Sequence, residues 1–217
     1  MFLAGMDEAG RGCVFGPLVL CVAVVDDGRE HELKEMGAKD SKMLSLLQRE
    51  KLYPQVKGVF ADHACVHISA QMLNELMLQV SLNEIEAMKA AEALNLMNVK
   101  PRKIIADSPD GDVSRFAKRI KSYLNGDAAG IEIVAEHKAD VNHPIVSAAS
   151  IIAKVERDRE LEKIKGELGF DFGSGYCSDP RTIEFLKPNL HVPQVMKYVR
   201  TRWSTVDKLR QKTLCEF

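Results

Sequence analysis

The sequence predicts an α/β fold, a mixed β-sheet flanked by helices, with a C-terminal helical extension. Short apolar runs of strand length alternate with stretches of helical period. Clusters of Gly, Pro, Ser and Asp stand between them as turns. From Asp171 onward the pattern changes, with Pro180, Pro188 and Pro193 punctuating short helical pieces.

Phe2 to Met6 is apolar and Leu18 to Val25 is rich in valine and leucine, with a glycine-studded loop from Gly10 to Gly16 between them, so the chain opens as strand, turn, strand. Phe60 to Ser69 alternates in part and predicts a third strand. Ser81 and Glu84 have the spacing of a capping box ahead of Ile85, Met88, Leu94 and Met97, which predicts a helix over Ser81 to Met97. Lys103 to Ala106 is a fourth strand, closed by the turn Ser108-Pro109-Asp110-Gly111, and Ile131 to Ala135 a fifth after a helix from Val113 to Leu124. Pro144 opens the longest helix, which runs to Leu168 with Gly169 placed to end it. The expected division is a main domain over 1–170 and an extension over 171–217.

Composition narrows the function classes. The 217 residues are 46% hydrophobic and 28% charged, enough to build a core and too apolar for a disordered chain. The formal charge of -1 means that any polyanionic partner must be met by a local patch. The longest apolar stretch, Cys13 to Val25, is broken by Gly16 and Pro17 and falls short of the ~20 residues a membrane helix needs. The N-terminus has no basic flank and turns acidic at Asp7 and Glu8, so no secretory signal is expected. Five cysteines, Cys13, Cys21, Cys65, Cys177 and Cys215, include no C-x-x-C pair and suggest neither a disulfide framework nor a zinc knuckle. The expected location is cytoplasmic. His63 and His67 lack the Glu of a zinc helix, and no Walker loop, G-x-S-x-G or G-x-G-x-x-G occurs.

The chemistry lies in acids placed where strands should end: Asp7 and Glu8 after the first strand, Asp107 after the fourth, Asp140 after the fifth. One such acid is usually a cap or turn former, but four in one sheet form a cluster that repels itself unless cations neutralise it. Oxygen ligands select hard ions such as Mg²⁺ or Mn²⁺. Neighbouring strand residues point to opposite faces, so Asp7 and Glu8 share a site only if the backbone bends at Glu8. Gly10-Arg11-Gly12 offers unobstructed backbone amides beside a guanidinium, or is simply a tight turn. Ser41 and Lys42 add a hydroxyl and an ammonium in a loop, and Ser147, Ser150, Lys154 and Asp158 recur at helical spacing, as a used polar stripe or a solvated face.

These segments in this order resemble ribonuclease HII, the type 2 ribonuclease H family: Met6 to Gly12, Gly16-Pro17, Asp40-Ser41-Lys42, the strand end at Asp107, Lys138-Ala139-Asp140, Val146 to Lys154, Gly173-Ser174-Gly175-Tyr176 and Asp179-Pro180. Cys13, Met43 and Asn142-His143 depart from the residues common there. The resemblance is to archaeal members. It implies a ribonuclease H-like sheet and endonucleolytic hydrolysis of the RNA strand of RNA/DNA hybrids, including cutting on the 5′ side of single ribonucleotides in duplex DNA. It makes Asp7, Glu8, Asp107 and Asp140 catalytic carboxylates that bind two Mg²⁺ or Mn²⁺ ions. Gly10, Arg11 and Gly12 would sense the 2′-hydroxyl, Tyr176 would pack on the sugar at the junction, and Ser41, Lys42, Ser147, Ser150 and Lys154 would contact phosphate. Gln211, Leu214 and Phe217 at the C-terminus resemble the peptide by which replication and repair proteins bind the sliding clamp. Lys197, Arg200, Arg202, Lys208, Arg210 and Lys212 are expected to form a patch facing the duplex. A monomer without membrane attachment is expected.

Overall fold

The computed structural model describes residues 1–37 and 44–215, with the backbone alone for 212–215. Strands β1 (Phe2–Ala9), β2 (Leu18–Asp26), β3 (Asp62–Ile68), β4 (Lys103–Asp107) and β5 (Glu132–Glu136) form one sheet in the order β3-β2-β1-β4-β5. The helices are α1 (Glu30–Glu35), α2 (Leu46–Val59), α3 (Ala70–Leu76), α4 (Leu82–Leu96), α5 (Val113–Tyr123), α6 (Ala139–Asn142), α7 (Pro144–Leu168), α8 (Pro180–Asn189), α9 (Pro193–Met196) and α10 (Ser204–Cys215). β1 pairs antiparallel with β2 and parallel with β4, and β4 pairs parallel with β5, so the sheet is mixed as the sequence predicts.

The chain divides into two compact units. The first comprises residues 1–9, 19–66 and 81–156 and carries most of the sheet. Its central strands are covered on both faces, which is why β2 is a continuous apolar run. Ala4, Met6, Leu20, Val22, Val24, Ile104 and Ala106 pack with α4 and α5 residues such as Ala90, Leu94, Phe116 and Ile120. The alternate positions Val19, Cys21, Ala23, Val25 and Ile105 pack with α1, α2 and the first half of α7. Gly5 permits the closest approach in this layer. A Cβ there would lie 2.5 Å from the Ile145 carbonyl carbon, so only glycine lets α7 begin directly on β1.

The second unit comprises residues 10–18, 67–80 and 157–217. The C-terminal extension expected from residue 171 shares its core with the N-terminal loop and the second half of α7, and Asn74 of α3 hydrogen-bonds it at Val199 and Thr201. Phe15 is fully buried there, with ring centroids 4.5 Å from Phe172 and 5.8 Å from Phe185. Those edge-on aromatic contacts join residues far apart in the chain.

Cys21 and Cys65 form a disulfide between the neighbouring strands β2 and β3, with Cα atoms 4.2 Å apart. The spacing of the cysteines suggests no disulfide framework, and this single pair is what that reading did not foresee. The two residues are 44 positions apart and meet only through sheet pairing, which no local spacing reports. Among the described residues no helix is long and apolar enough to cross a membrane.

Candidate active site

Parallel pairing of β1 with β4 aligns Met6 with Ala106, so Asp7 and Asp107 follow side by side at the C-terminal ends of adjacent strands. Strand alternation turns both to the face covered by α7, away from Met6 and Ala106. Asp140 arrives from α6. The backbone N–H of Ala139 donates to Asp107 Oδ1 at 2.9 Å, and Lys138 before it takes the left-handed conformation with φ 58°, a turn tight enough to return the chain to the strand end. Carboxylate oxygens of Asp7, Asp107 and Asp140 lie within 4.8 Å of one another. Asp7 and Asp140 are 5% and 1% exposed. Three acids held this close, two of them buried, supply the all-oxygen, anionic donor set that hard divalent cations prefer, so a divalent metal fits these residues.

Glu8 stands outside that trio. β1 pairs with β2 without a break through Ala9, with Glu8 opposite Leu20. The Glu8 N–H instead donates to Asp7 Oδ1 at 2.8 Å.

One polar row of α7 serves the same cluster. The Ser150 hydroxyl hydrogen-bonds the Asp7 carboxylate, and Lys154 Nζ donates to Ser150 Oγ at 2.7 Å. Burial raises the Asp7 pKa to about 6, and the neighbouring Asp107 charge raises it too, while Ser150 and Lys154 pull it down. Ser147, one turn earlier, is 1% exposed and its hydroxyl has no hydrogen-bond partner among the described residues. The part of the stripe at Ser147 and Ser150 is therefore enclosed, not a solvated face. Ser41 and Lys42 lie outside the described residues.

Three residues after Asp107, another carboxylate is handled differently. Asp110 is buried and accepts from Arg115 Nε at 3.1 Å and Arg119 Nη1 at 2.6 Å. Arg119 also meets Glu84 of α4 at 2.8 Å, and the Tyr123 hydroxyl donates to the same Glu84 at 2.7 Å. Hydrogen bonds from Arg115 and from the Asp112 N–H hold the Asp110 carboxyl far below the usual carboxylate range. This network fastens the loop after β4 to α5 and α4.

In the second unit, Gly10 takes φ +84°, and a Cβ there would meet the Pro17 carbonyl oxygen at 2.8 Å. Arg11 is half-buried and Gly12 exposed, and a Cβ on Gly12 would touch the Tyr176 ring at 3.8 Å. Tyr176 is joined to this loop by a bridge to Cys13. The Arg157 guanidinium lies 5.0 Å from the ring centroid and donates to the Ser174 carbonyl and, at 3.0 Å, to Cys13 Sγ. Burial pushes the Cys13 thiol and the Tyr176 phenol above their ordinary pKa values. Arg157 was not singled out by the sequence pattern; only its position among the acids and bases of α7 could have hinted at it. Gln211 is exposed on α10, Leu214 is described by backbone alone, and Phe217 lies outside the described residues.

The family model for "Ribonuclease HII" matches residues 4–206. The chain belongs to the ribonuclease HII family. The enzyme of that name from Pyrococcus horikoshii is 46% identical over 98% of this chain and 94% of its own, and that from Archaeoglobus fulgidus 44% over 99% of each. The crystal structure of the ribonuclease H2 from Pyrococcus horikoshii OT3 superposes with a TM-score of 0.86 over 98% of both chains. The Archaeoglobus fulgidus ribonuclease HII, solved in complex with PCNA, also gives 0.86, over 99% of this chain and 100% of that one. Both expectations drawn from the sequence, the archaeal-like ribonuclease HII family and the ribonuclease H-like fold, are thus met. As a ribonuclease HII, the chain is a metal-dependent endoribonuclease of RNA/DNA hybrids.

Proposed function

We propose that this ribonuclease HII cuts the RNA strand of RNA/DNA hybrids and also nicks duplex DNA on the 5′ side of a single embedded ribonucleotide, leaving 3′-hydroxyl and 5′-phosphate ends. The observation that carries the reading is the meeting of Asp7, Asp107 and Asp140 within 4.8 Å at the strand ends. With Glu8 they would hold two Mg²⁺ or Mn²⁺ ions. Such ions, when bound, polarise the scissile phosphate, activate a water and stabilise the leaving oxygen. The chain's own residues do the rest. Ser150 and Lys154 hold Asp7 ionised and oriented, and the enclosure around Asp7 and Asp140 keeps competing water away from the carboxylates. Ser147, with Ser41 and Lys42, is assigned to phosphate contact.

Recognition of RNA is assigned to Gly10, Arg11 and Gly12, whose backbone groups would pair with the 2′-hydroxyl, and to Tyr176, which would pack on the junction sugar. A loop that pairs with that hydroxyl leaves polar groups unsatisfied on DNA and so rejects it. The C-terminal residues Gln211, Leu214 and Phe217 are assigned to a sliding clamp, a reading supported by the PCNA complex of the Archaeoglobus relative. The deciding experiment is cleavage of a DNA duplex containing one ribonucleotide, with Mg²⁺ or Mn²⁺ and with chelator. A single metal-dependent nick 5′ of the ribonucleotide is expected; cleavage of the all-DNA control, or none of either duplex, would overturn the reading. Deleting 211–217 should abolish clamp binding by calorimetry and leave hydrolysis of short duplexes unchanged.

A further inference from the structure

Arg200 lies among residues whose basic charge the sequence assigns to a surface patch, and its neighbours Lys197 and Arg202 are exposed. Arg200 is 0% exposed. Its guanidinium is turned inward onto the segment that contains Gly10-Arg11-Gly12. Nε donates to the Gly16 carbonyl at 2.9 Å and Nη1 to the Arg11 carbonyl at 3.1 Å. The Arg200 amide donates to the Val14 carbonyl at 2.9 Å, and the Trp203 ring lies 5.0 Å from the guanidinium carbon. Every one of these groups belongs to the second unit.

The bond to Arg11 has a directional consequence. The Arg11 carbonyl and the Gly12 N–H share one planar trans peptide, so they point in opposite directions. Fixing the carbonyl toward a buried guanidinium therefore fixes the Gly12 N–H outward, on an exposed glycine with no side chain to shield it. The Cys13 N–H beside it is already committed to the Gly10 carbonyl at 3.2 Å. Only arginine offers several donors in a rigid fork, able to hold two separate carbonyls at once. The geometry points to Arg200 as a positioning residue that aims the Gly12 amide at the ribose 2′-hydroxyl, and not as a phosphate contact. This rests on the 2′-hydroxyl role assigned above to the Gly10-Arg11-Gly12 loop.

The test compares Arg200→Lys with Arg202→Gln on a duplex carrying a single ribonucleotide, over a range of salt concentrations. Lysine keeps the charge but cannot span both carbonyls. Arg200→Lys should lower kcat about tenfold, as expected for losing one hydrogen bond that matters in the transition state, with KM and its salt dependence unchanged. Arg202→Gln should leave kcat unchanged, raise KM and make its salt dependence shallower. A wild-type kcat in Arg200→Lys would overturn the assignment. If circular dichroism shows Arg200→Lys unfolded, Trp203→Leu decides. That variant removes the ring beneath the guanidinium and should lower kcat without changing the salt slope; unchanged kcat there counts against the assignment. Failure of the wild-type enzyme to cut the duplex would defeat the reading of the reaction itself, and with it this role, whereas a cutting wild type isolates the Arg200 question.

Discussion

Two carboxylates three residues apart, Asp107 at the end of β4 and Asp110 in the loop that follows, are treated in opposite ways. Asp110 receives two guanidinium groups and a backbone amide, and its charge is matched where it sits. Asp107 is placed against two more acids. The first arrangement lowers a pKa and ties a loop down; the second, with burial, raises the Asp7 pKa to about 6. Matched charge holds structure, whereas gathered like charge is a cost that only a cation can offset. The contrast separates the acids that could hold a metal ion from the one that ties the loop down, without reference to any relative.

The contrast breaks most sharply at the gathered acids. Asp140→Asn or Asp7→Asn should lose roughly 10³-fold in kcat on an RNA/DNA hybrid, since a metal-bound carboxylate supports several kcal/mol of transition-state stabilisation. The melting temperature should hold or rise, because one clustered charge is gone. Single-turnover cleavage and thermal melts read both; a near-native rate would place the chemistry elsewhere.

Asp110→Asn should do the reverse, lowering the melting temperature while the folded variant still cuts. The Asp110 pKa is depressed in the folded state, so its contribution is present above the ordinary carboxylate value of 3.8 and is lost as pH falls below it. The gap between wild type and variant should therefore be open at neutral pH and close in acid. A gap that persists unchanged in acid would show that Asp110 acts by packing alone.

Metal addition sharpens the same comparison. An ion that binds only the folded state stabilises it by about 2.7 kcal/mol at a hundredfold excess over its dissociation constant. Mn²⁺ added to chelator-treated protein should raise the melting temperature of the wild type and of Asp110→Asn, but hardly that of Asp7→Asn. Below pH 6 a proton occupies Asp7 and competes with the metal, so the increment should shrink. An equal increment in all three proteins would disconnect the ion from the cluster.

The smallest effect is expected at Ser150. Its hydrogen bond stabilises the Asp7 carboxylate, so Ser150→Ala should move the acid limb of the kcat/KM profile upward by roughly half to one pH unit, the worth of about 1 kcal/mol. An unmoved limb would mean that Lys154 alone keeps Asp7 ionised.

Much of this was legible in the chain. A short apolar run marked β1 and a Val- and Leu-rich one β2, the capping pattern marked α4, and Pro144 with Gly169 bracketed α7, because each rests on a local rule. The acids were legible as strand-end residues. Helices α1, α2 and α3 were not: α2 begins with a sound cap at Ser45 but carries Pro54 inside and buries only Val56 and Val59, leaving little apolar period to detect. Arg157 and Arg200 escaped for a different reason. A buried guanidinium and a solvated one are spelled alike, and what separates them is which carbonyls surround it, a property of the folded chain.

The second unit is assembled from three stretches that lie far apart in the chain, 10–18, 67–80 and 157–217. Phe15 emerges from the ribosome long before Phe172 and Phe185, its partners. Chains are made at roughly 5 to 20 residues per second, so this aromatic side chain waits on the order of ten seconds before it can be covered. Late, long-range closure of this kind is slow relative to folding through local contacts. The loop that carries Gly10-Arg11-Gly12 is thus made well before the residues that give it its shape.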